Sequence, residues 1–239
     1  MQLQITLSGN KICLPMANSR IIQGLIYKAL SENKDYSTGL HEHGYVFKQR
    51  KFKLFSFSEL RGKYKVVGKE ICFEDKVCLE IRSVDSYMIQ MLYTYFLQNN
   101  TLYLGNNQVN IENLAIDNKM IFCDNIKVKT LSPITVYSTT NDGHTTYFSP
   151  EEEEFYDSII SNAKRKKISY CSETSDFDFS IAPTENTAYV KRVTKFKETI
   201  IIAWHGEFFL KGNIDVLNFL YNTGLGSKNS QGFGMFEII

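Results

Sequence analysis

The segment Thr223 to Ile239 places four of the chain's fourteen glycines in two Gly-apolar-Gly pairs, Gly224-Leu225-Gly226 and Gly232-Phe233-Gly234. Five polar residues, Ser227-Lys228-Asn229-Ser230-Gln231, lie between them. Glycine loses more backbone freedom on folding than any other residue. Such density therefore marks a place that needs positive φ or very close approach. A loop of this composition can press backbone N–H groups against phosphates. Its flanks restrict the fold further. Asn213 to Tyr221 reads as a helix before the loop, and Met235 to Ile239 as a short strand after it. Dinucleotide and P-loop sites run strand, glycines, helix, so the reversed order argues against a nucleotide cofactor, and no cofactor is expected.

The rest of the chain is consistent with a folded protein of one large or two small domains. Of its 239 residues, 43% are apolar and 22% charged, enough for a sizeable core. The formal net charge is only +1, so any polyanion site must be a local patch. Met1 to Leu7 alternates like a strand rather than forming a signal peptide. No stretch approaches the roughly 18 apolar residues of a membrane span. The cysteines, Cys13, Cys72, Cys78, Cys123 and Cys171, are odd in number and scattered, without C-x-x-C pairs or zinc spacing. They are expected to be reduced, mostly buried thiols of a cytoplasmic protein, with no structural metal.

Periodicity divides the chain into two similar halves. The first comprises a strand at 2–8, a helix at 18–31, β-like runs at 52–57, 63–73 and 77–84, a helix at 86–98, and strands at 101–104, 109–116 and 120–123. The second comprises a strand-like run at 126–137, a helix from Pro150 to about Lys164, strands at 177–181, 191–196 and 199–210, then the terminal helix, loop and strand. Each half reads β-α-β-β-α-β. The expected α+β fold is therefore two tandem ferredoxin-like domains, 1–124 and 125–239, with a C-terminal glycine-rich loop. Glu151 to Glu154 and Lys164 to Lys167 suit the two ends of the dipole of the helix between them.

Ferredoxin-like sheets also support RNA recognition, but fold alone licenses no function. From Lys48 to Lys69 there are eight Lys or Arg against one acid, Glu59, with aromatics interleaved. Lys48, Arg50 and Lys51 open this run, and Lys191, Arg192, Lys195 and Lys197 form a second cluster. Phosphate-tracking surfaces have this composition, and so do solvated edge strands. His41 and His43 lie in the loop Leu40-His41-Glu42-His43-Gly44 just before the basic run. A histidine there can serve as acid or base on RNA near neutrality. No carboxylate pattern completes a metal site around them. His205 reads as a strand residue and His144 as part of a turn.

Four motifs occur in order along the chain: Gln23-Gly24-Leu25-Ile26-Tyr27, Leu40-His41-Glu42, Phe52-Lys53-Leu54-Phe55-Ser56-Phe57-Ser58, and the terminal glycine loop. With Leu131-Ser132-Pro133-Ile134 and Ala203-Trp204-His205, they make the whole chain resemble the CRISPR-repeat endoribonucleases that cut precursor CRISPR RNA into guide-length units. The resemblance implies tandem ferredoxin-like domains, metal-independent cleavage at a fixed repeat position, CRISPR repeat RNA as partner, and handover of the guide to other effector-complex proteins. A monomer or homodimer is expected.

The family's Tyr, His and Lys set falls on Tyr27, His41 and Lys53, and the chemistry agrees. Without metal, the ribose 2′-oxygen attacks its own phosphate and leaves a 2′,3′-cyclic phosphate and a 5′-hydroxyl. One group takes the 2′-proton, another protonates the leaving oxygen, and a cation stabilises the phosphorane. Which of His41 and Tyr27 is the base stays open, as does a substitution of His43 for His41. The resemblance assigns Gly224, Gly226, Lys228, Asn229, Ser230, Gly232 and Gly234 to RNA binding, with Lys228, Asn229 and Ser230 contacting phosphate. The competing expectations are a non-catalytic RNA-binding subunit of the same fold and, more distantly, a structural protein whose sheets mediate assembly.

Overall fold

The computed structural model describes residues 1–33, 36, 38–39, 44–171, 176–185, 188–196 and 198–239. The first half contains β1 (Gln2–Ser8), β2 (Ile12–Pro15), α1 (Ser19–Leu30), β3 (Tyr45–Phe47), β4 (Arg50–Phe52), β5 (Phe55–Phe57), β6 (Tyr64–Val67), β7 (Glu70–Phe73), β8 (Lys76–Ser83), α2 (Ser86–Gln98), β9 (Thr101–Leu104) and β10 (Asn107–Asp117). The second contains β11 (Asn125–Thr130), β12 (Tyr137–Thr139), β13 (Thr145–Tyr147), α3 (Glu153–Cys171), β14 (Phe179–Pro183), β15 (Val190–Phe196), β16 (Thr199–His205), β17 (Glu207–Gly212), α4 (Ile214–Thr223), a 3-10 turn at Asn229–Gln231 and β18 (Phe236–Ile238).

Both main sheets are antiparallel and share one topology. The first runs β5-β8-β1-β10-β9 and the second β14-β17-β11-β18. With the strands of each β-α-β-β-α-β unit numbered one to four, both read 2-3-1-4, with β9 added to one edge of the first. Leu3, Ile5 and Leu7 alternate inward on β1 and meet Ile22, Leu25, Ile26 and Ala29 of α1 in the first core. Asp85 caps α2 by accepting from the Tyr87 and Met88 amides. The second core gathers Val128, Phe155, Ile159, Phe208, Leu210, Leu217 and Phe236. It also takes Leu54 from the first half, which sits 2% exposed between β4 and β5.

The halves are further joined through Arg82 on β8, which is 1% exposed. Its Nε donates to Glu80 Oε1 at 2.6 Å, and its Nη1 donates to the carbonyls of Phe236 at 2.6 Å and Tyr221 at 3.3 Å. The guanidinium lies 3.7 Å from the Tyr221 ring centroid. Tyr221 itself donates to Gln2 Oε1, and the Met1 ammonium donates to Asn222 Oδ1. His205 Nε2 also meets Glu59 Oε2 across the halves at 3.2 Å.

Several expectations change. The run 63–73 is a hairpin, β6–β7, turned at Gly68 with φ +61°. The run 199–210 breaks at Gly206, where the chain leaves its pairing with β15 and joins β11 and β14. Likewise 126–137 ends as a strand at Thr130, and residues 120–123 form no strand. There, Asn218 on α4 holds Ile121 through both its amide nitrogen and carbonyl. α3 continues to Cys171, so Lys164 to Lys167 lie inside it and its last turn carries no basic residue. The cysteine expectation is also corrected. Cys13 and Cys72 face each other across β2 and β7 and are joined as a disulfide, while Cys78, Cys123 and Cys171 are exposed. Sequence parity could not reveal a cross-strand neighbour 59 residues away. Glu70 lies beside that pair, but the two sulfurs are bonded to each other and offer no thiolate to a metal. Among the described residues, no helix is long and apolar enough to cross a membrane.

Candidate nucleic-acid interface

The link between β4 and β5 places Lys53. Leu54 points into the second core and Phe55 into the first, and the Phe55 amide donates to the Lys53 carbonyl at 2.8 Å. This three-residue γ-turn, locked by both cores, holds Lys53 at the seam between the halves. Its Nζ stands 5.2 Å from the Tyr27 ring centroid. Tyr27 lies on the flank of α1 and packs edge-on against Phe55. Burial pushes the Tyr27 phenol up to about 12, so it stays protonated at neutral pH. One turn earlier on α1, Gln23 Nε2 donates to the Ser230 carbonyl at 2.6 Å. Tyr27, Lys53 and the glycine loop, distant in sequence, are thus neighbours.

Lys53 and the glycine loop border an open cleft of about 830 Å³ between the halves. Arg50, Lys51 and Lys53 line one wall. α3 contributes Asp157, Ser158, Ser161, Asn162, Arg165 and Lys166, and the terminal loop closes it with residues 226–231. Tyr137 and Phe148, on and beside the β12–β13 hairpin, add aromatic surface. Among the described residues, six cations face two acids, Glu154 and Asp157. Arg165 has its pKa lowered by burial and then by the neighbouring Arg50 guanidinium. Like charges drawn together in a partly dry groove would be relieved by an entering anion.

The terminal loop is built differently from a simple phosphate cradle. All four of its glycines are buried, and three amides are already donated internally: Gly224 to Leu220, Gly232 to Asn229 and Gly234 to Pro133. A β-carbon on Gly234 would lie 1.9 Å from the Leu225 carbonyl oxygen, and one on Gly232 would lie 2.6 Å from the Phe57 ring. The glycines thus let the loop fold onto itself and onto the first half. Asn229 is corrected too. Its amide donates to the Leu225 and Phe233 carbonyls, its Oδ1 accepts from Lys166, and it is 7% exposed, which leaves its side chain no capacity for a phosphate. Lys228 and Ser230 are partly exposed on the cleft, with Lys228 Nζ 5.1 Å from the Tyr137 ring centroid.

Arg50 and Lys51 line the cleft, whereas Lys48 lies in the β3–β4 turn over Phe47 and does not. His41, its neighbour His43 and Lys197 lie outside the described residues. The ends of the segment bearing the histidines are joined by the Gly44 amide donating to the Gly39 carbonyl at 3.0 Å. Sequence reasoning missed Gln23, Arg165 and Lys166. The last two belonged to the run assigned to a helix end. The 3.6-residue period, continued through 171 with no Gly or Pro to stop it, was the signal for them.

Residues 116–238 match the family model described as CRISPR associated protein Cas6, C-terminal. The chain belongs to the Cas6 family. It is 28% identical over 242 aligned positions to CRISPR-associated endoribonuclease Cas6 1 of Methanocaldococcus jannaschii, covering 95% of this chain and 88% of that protein. It is 26% identical to the CRISPR-associated endoribonuclease Cas6 of Pyrococcus furiosus, covering 94% of this chain and 83% of that one. A solved structure titled CRISPR associated protein Cas6 superimposes with a TM-score of 0.80 at 26% identity, over 100% of this chain and 99% of the other. The two curated relatives are named as endoribonucleases, and the solved Cas6 structure shares this chain's tandem ferredoxin-like fold.

Proposed function

We propose that this Cas6 protein cleaves CRISPR repeat RNA in precursor transcripts without a metal ion, producing guide RNAs for other effector proteins. The observation that carries the reading is the meeting of Lys53, on the wall of a cation-lined interdomain cleft, with the Tyr27 ring. In this proposal residues 1–124 supply the chemistry and residues 125–239 supply the RNA-holding loop.

The reaction follows from the residue types. The 2′-oxygen attacks the adjacent phosphorus and forms the new P–O bond of the cyclic phosphate. The bond to the 5′-oxygen breaks, and that oxygen leaves as a hydroxyl. His41 makes one of the two proton transfers, with Tyr27 the candidate for the other. Lys53 sits where charge grows on the non-bridging oxygens. Tyr27, protonated at neutral pH, positions the ribose or shares the proton work. Arg50, Lys51 and Lys228 track the backbone.

The test compares wild-type protein with His41→Ala and Lys53→Ala on cognate repeat RNA, measuring cleavage at saturating protein and binding separately. His41→Ala is expected to abolish cleavage with binding nearly intact, and Lys53→Ala to slow it about 10²–10³-fold. If His43→Ala alone abolishes cleavage, the histidine assignment is wrong. If wild-type protein binds the repeat but never cuts it, the chain is an RNA-binding subunit and the enzymatic reading fails.

A further inference from the structure

Lys166 is the one described lysine that is 2% exposed, and the chemistry assigned to the cleft leaves it without a role. It projects from the middle of α3, and its Nζ donates to the Gly224 carbonyl at 2.5 Å and to Asn229 Oδ1 at 2.9 Å. Both acceptors are neutral, and among the described residues no carboxylate pairs with the buried charge. A lysine kept in such a place is expensive, and an apolar side chain of similar volume would fill the space without the desolvation cost.

The loop's geometry explains what the ammonium does. Gly224 is the first corner of the loop. Asn229 is its hub, tying Leu225 at the entry to Phe233 at the exit. Lys166 bonds both and so connects the loop to α3. Next to the hub, Lys228 has φ +59°, a left-handed conformation that a non-glycine residue keeps only where its surroundings enforce it. That conformation places the Lys228 ammonium over the Tyr137 ring in the cleft. The backbone of the residue that faces the cleft is therefore held by its neighbour's contact with Lys166.

We propose that Lys166 is the positioning residue of the RNA cleft: its ammonium fixes the terminal loop in the shape that presents Lys228 and Ser230, and RNA binding is coupled to its protonation. The proposal rests on the reading that the cleft takes RNA. Burial holds the Lys166 pKa at about 7 instead of 10.5, so protein without RNA carries a mixture of both forms near neutrality. Phosphates entering the cleft favour the charged form and draw a proton in. The charged groups on the surrounding elements do not substitute for this effect. Lys167 on α3 is paired with Asp215 of α4 at 2.9 Å. Arg165, Lys228, Arg50, Lys51 and Lys53 are cations that disfavour a further charge until an anion arrives, and Asp157 and Glu154 lie two or more turns up α3. Tyr45 of β3, which packs against α3, has its own pKa raised by burial and stays neutral in this range.

The experiment uses the full chain and a repeat RNA bearing one 2′-deoxynucleotide at the mapped cut, so that binding is measured without cleavage. Wild-type affinity is expected to fall about tenfold from pH 6 to pH 8.5, the equivalent of a one-unit rise in the Lys166 pKa on binding. Lys166→Met is expected to bind at least tenfold more weakly at pH 6 and to lose that pH dependence, while Lys166→Arg binds without it. If Lys166→Met does not fold, calorimetry of the wild-type protein near pH 7.5 in phosphate and in Tris reads proton uptake directly. Uptake that is absent in wild type, or that persists in Lys166→Arg, overturns the proposal. So does a Lys166→Met protein with wild-type affinity and pH dependence. Wild-type protein that binds no repeat RNA at either pH overturns the functional reading, and this proposal with it.

Discussion

Substituting alanine for Gly232 tests whether the terminal loop is architectural before it is a binding element. Gly232 has φ +89°, and its added β-carbon would lie 2.6 Å from Phe57 Cε2 and 3.0 Å from Cζ. Phe57 is 0% exposed on β5, packed in the first core and paired with Ile81 of β8, so its ring has nowhere to turn. Two costs add. Left-handed backbone costs a non-glycine residue about 1–2 kcal/mol, and overpacking a filled core costs about 1–3 kcal/mol. Gly232→Ala is therefore expected to destabilise by about 2–5 kcal/mol, and each 1 kcal/mol lowers the melting temperature of a chain this long by about 2–4 °C. Urea denaturation of Gly232→Ala, Phe57→Leu and the double variant separates the costs. Phe57→Leu removes the ring contact but not the backbone penalty, so the cycle should show a favourable coupling of about 1–3 kcal/mol. A Gly232→Ala protein within about 0.5 kcal/mol of wild type, or a cycle that adds without coupling, would refute the packing argument.

Arg82→Leu should cost about 3–5 kcal/mol, because it leaves the buried Glu80 carboxylate with only the longer contact to Arg61 and removes a donor from the Phe236 and Tyr221 carbonyls, and Glu80→Leu/Arg82→Leu should recover part of that in the same urea assay. For Lys166 the sign follows from its lowered pKa. The unfolded chain holds this proton up to about pH 10.5 and the folded chain only to about 7, so the group's contribution to stability rises with pH across that window. The melting temperature of wild type relative to Lys166→Met should accordingly climb between pH 7 and 9. Lys228→Ala should weaken RNA binding and flatten the slope of log affinity against log salt by about 0.7, one single-strand phosphate contact.

The elements with strong local signals were legible. β1 alternates, α1 and α2 keep the helical period, and their ends fall within a residue or two of expectation. What the sequence hid was mostly non-local. Val66-Val67-Gly68-Lys69 looks like continuous strand until Gly68 turns it, and Gly206 looks like a strand glycine until the chain changes partners there. Ending the basic run at a helix terminus was sound dipole reasoning applied to a helix that continues for another turn or more, and it concealed Lys166. Leu54 crossing into the second core, Gly232 against Phe57, and the Cys13–Cys72 bridge depend on contacts between distant segments, which a single sequence does not display. In the candidate site, Tyr27 and Lys53 were named from the motifs and stand together in the structure. Asn229 was named for the right loop but the wrong task, because a buried carboxamide with every group bonded holds the loop together.

The most direct measurement is cleavage of the cognate repeat RNA in excess EDTA, with both product ends analysed chemically. The expected result is a single cut that leaves a 2′,3′-cyclic phosphate on one fragment and a 5′-hydroxyl on the other, at a rate unchanged by added magnesium. Cleavage that stops in EDTA and returns with magnesium, or that leaves a 5′-phosphate, would contradict it.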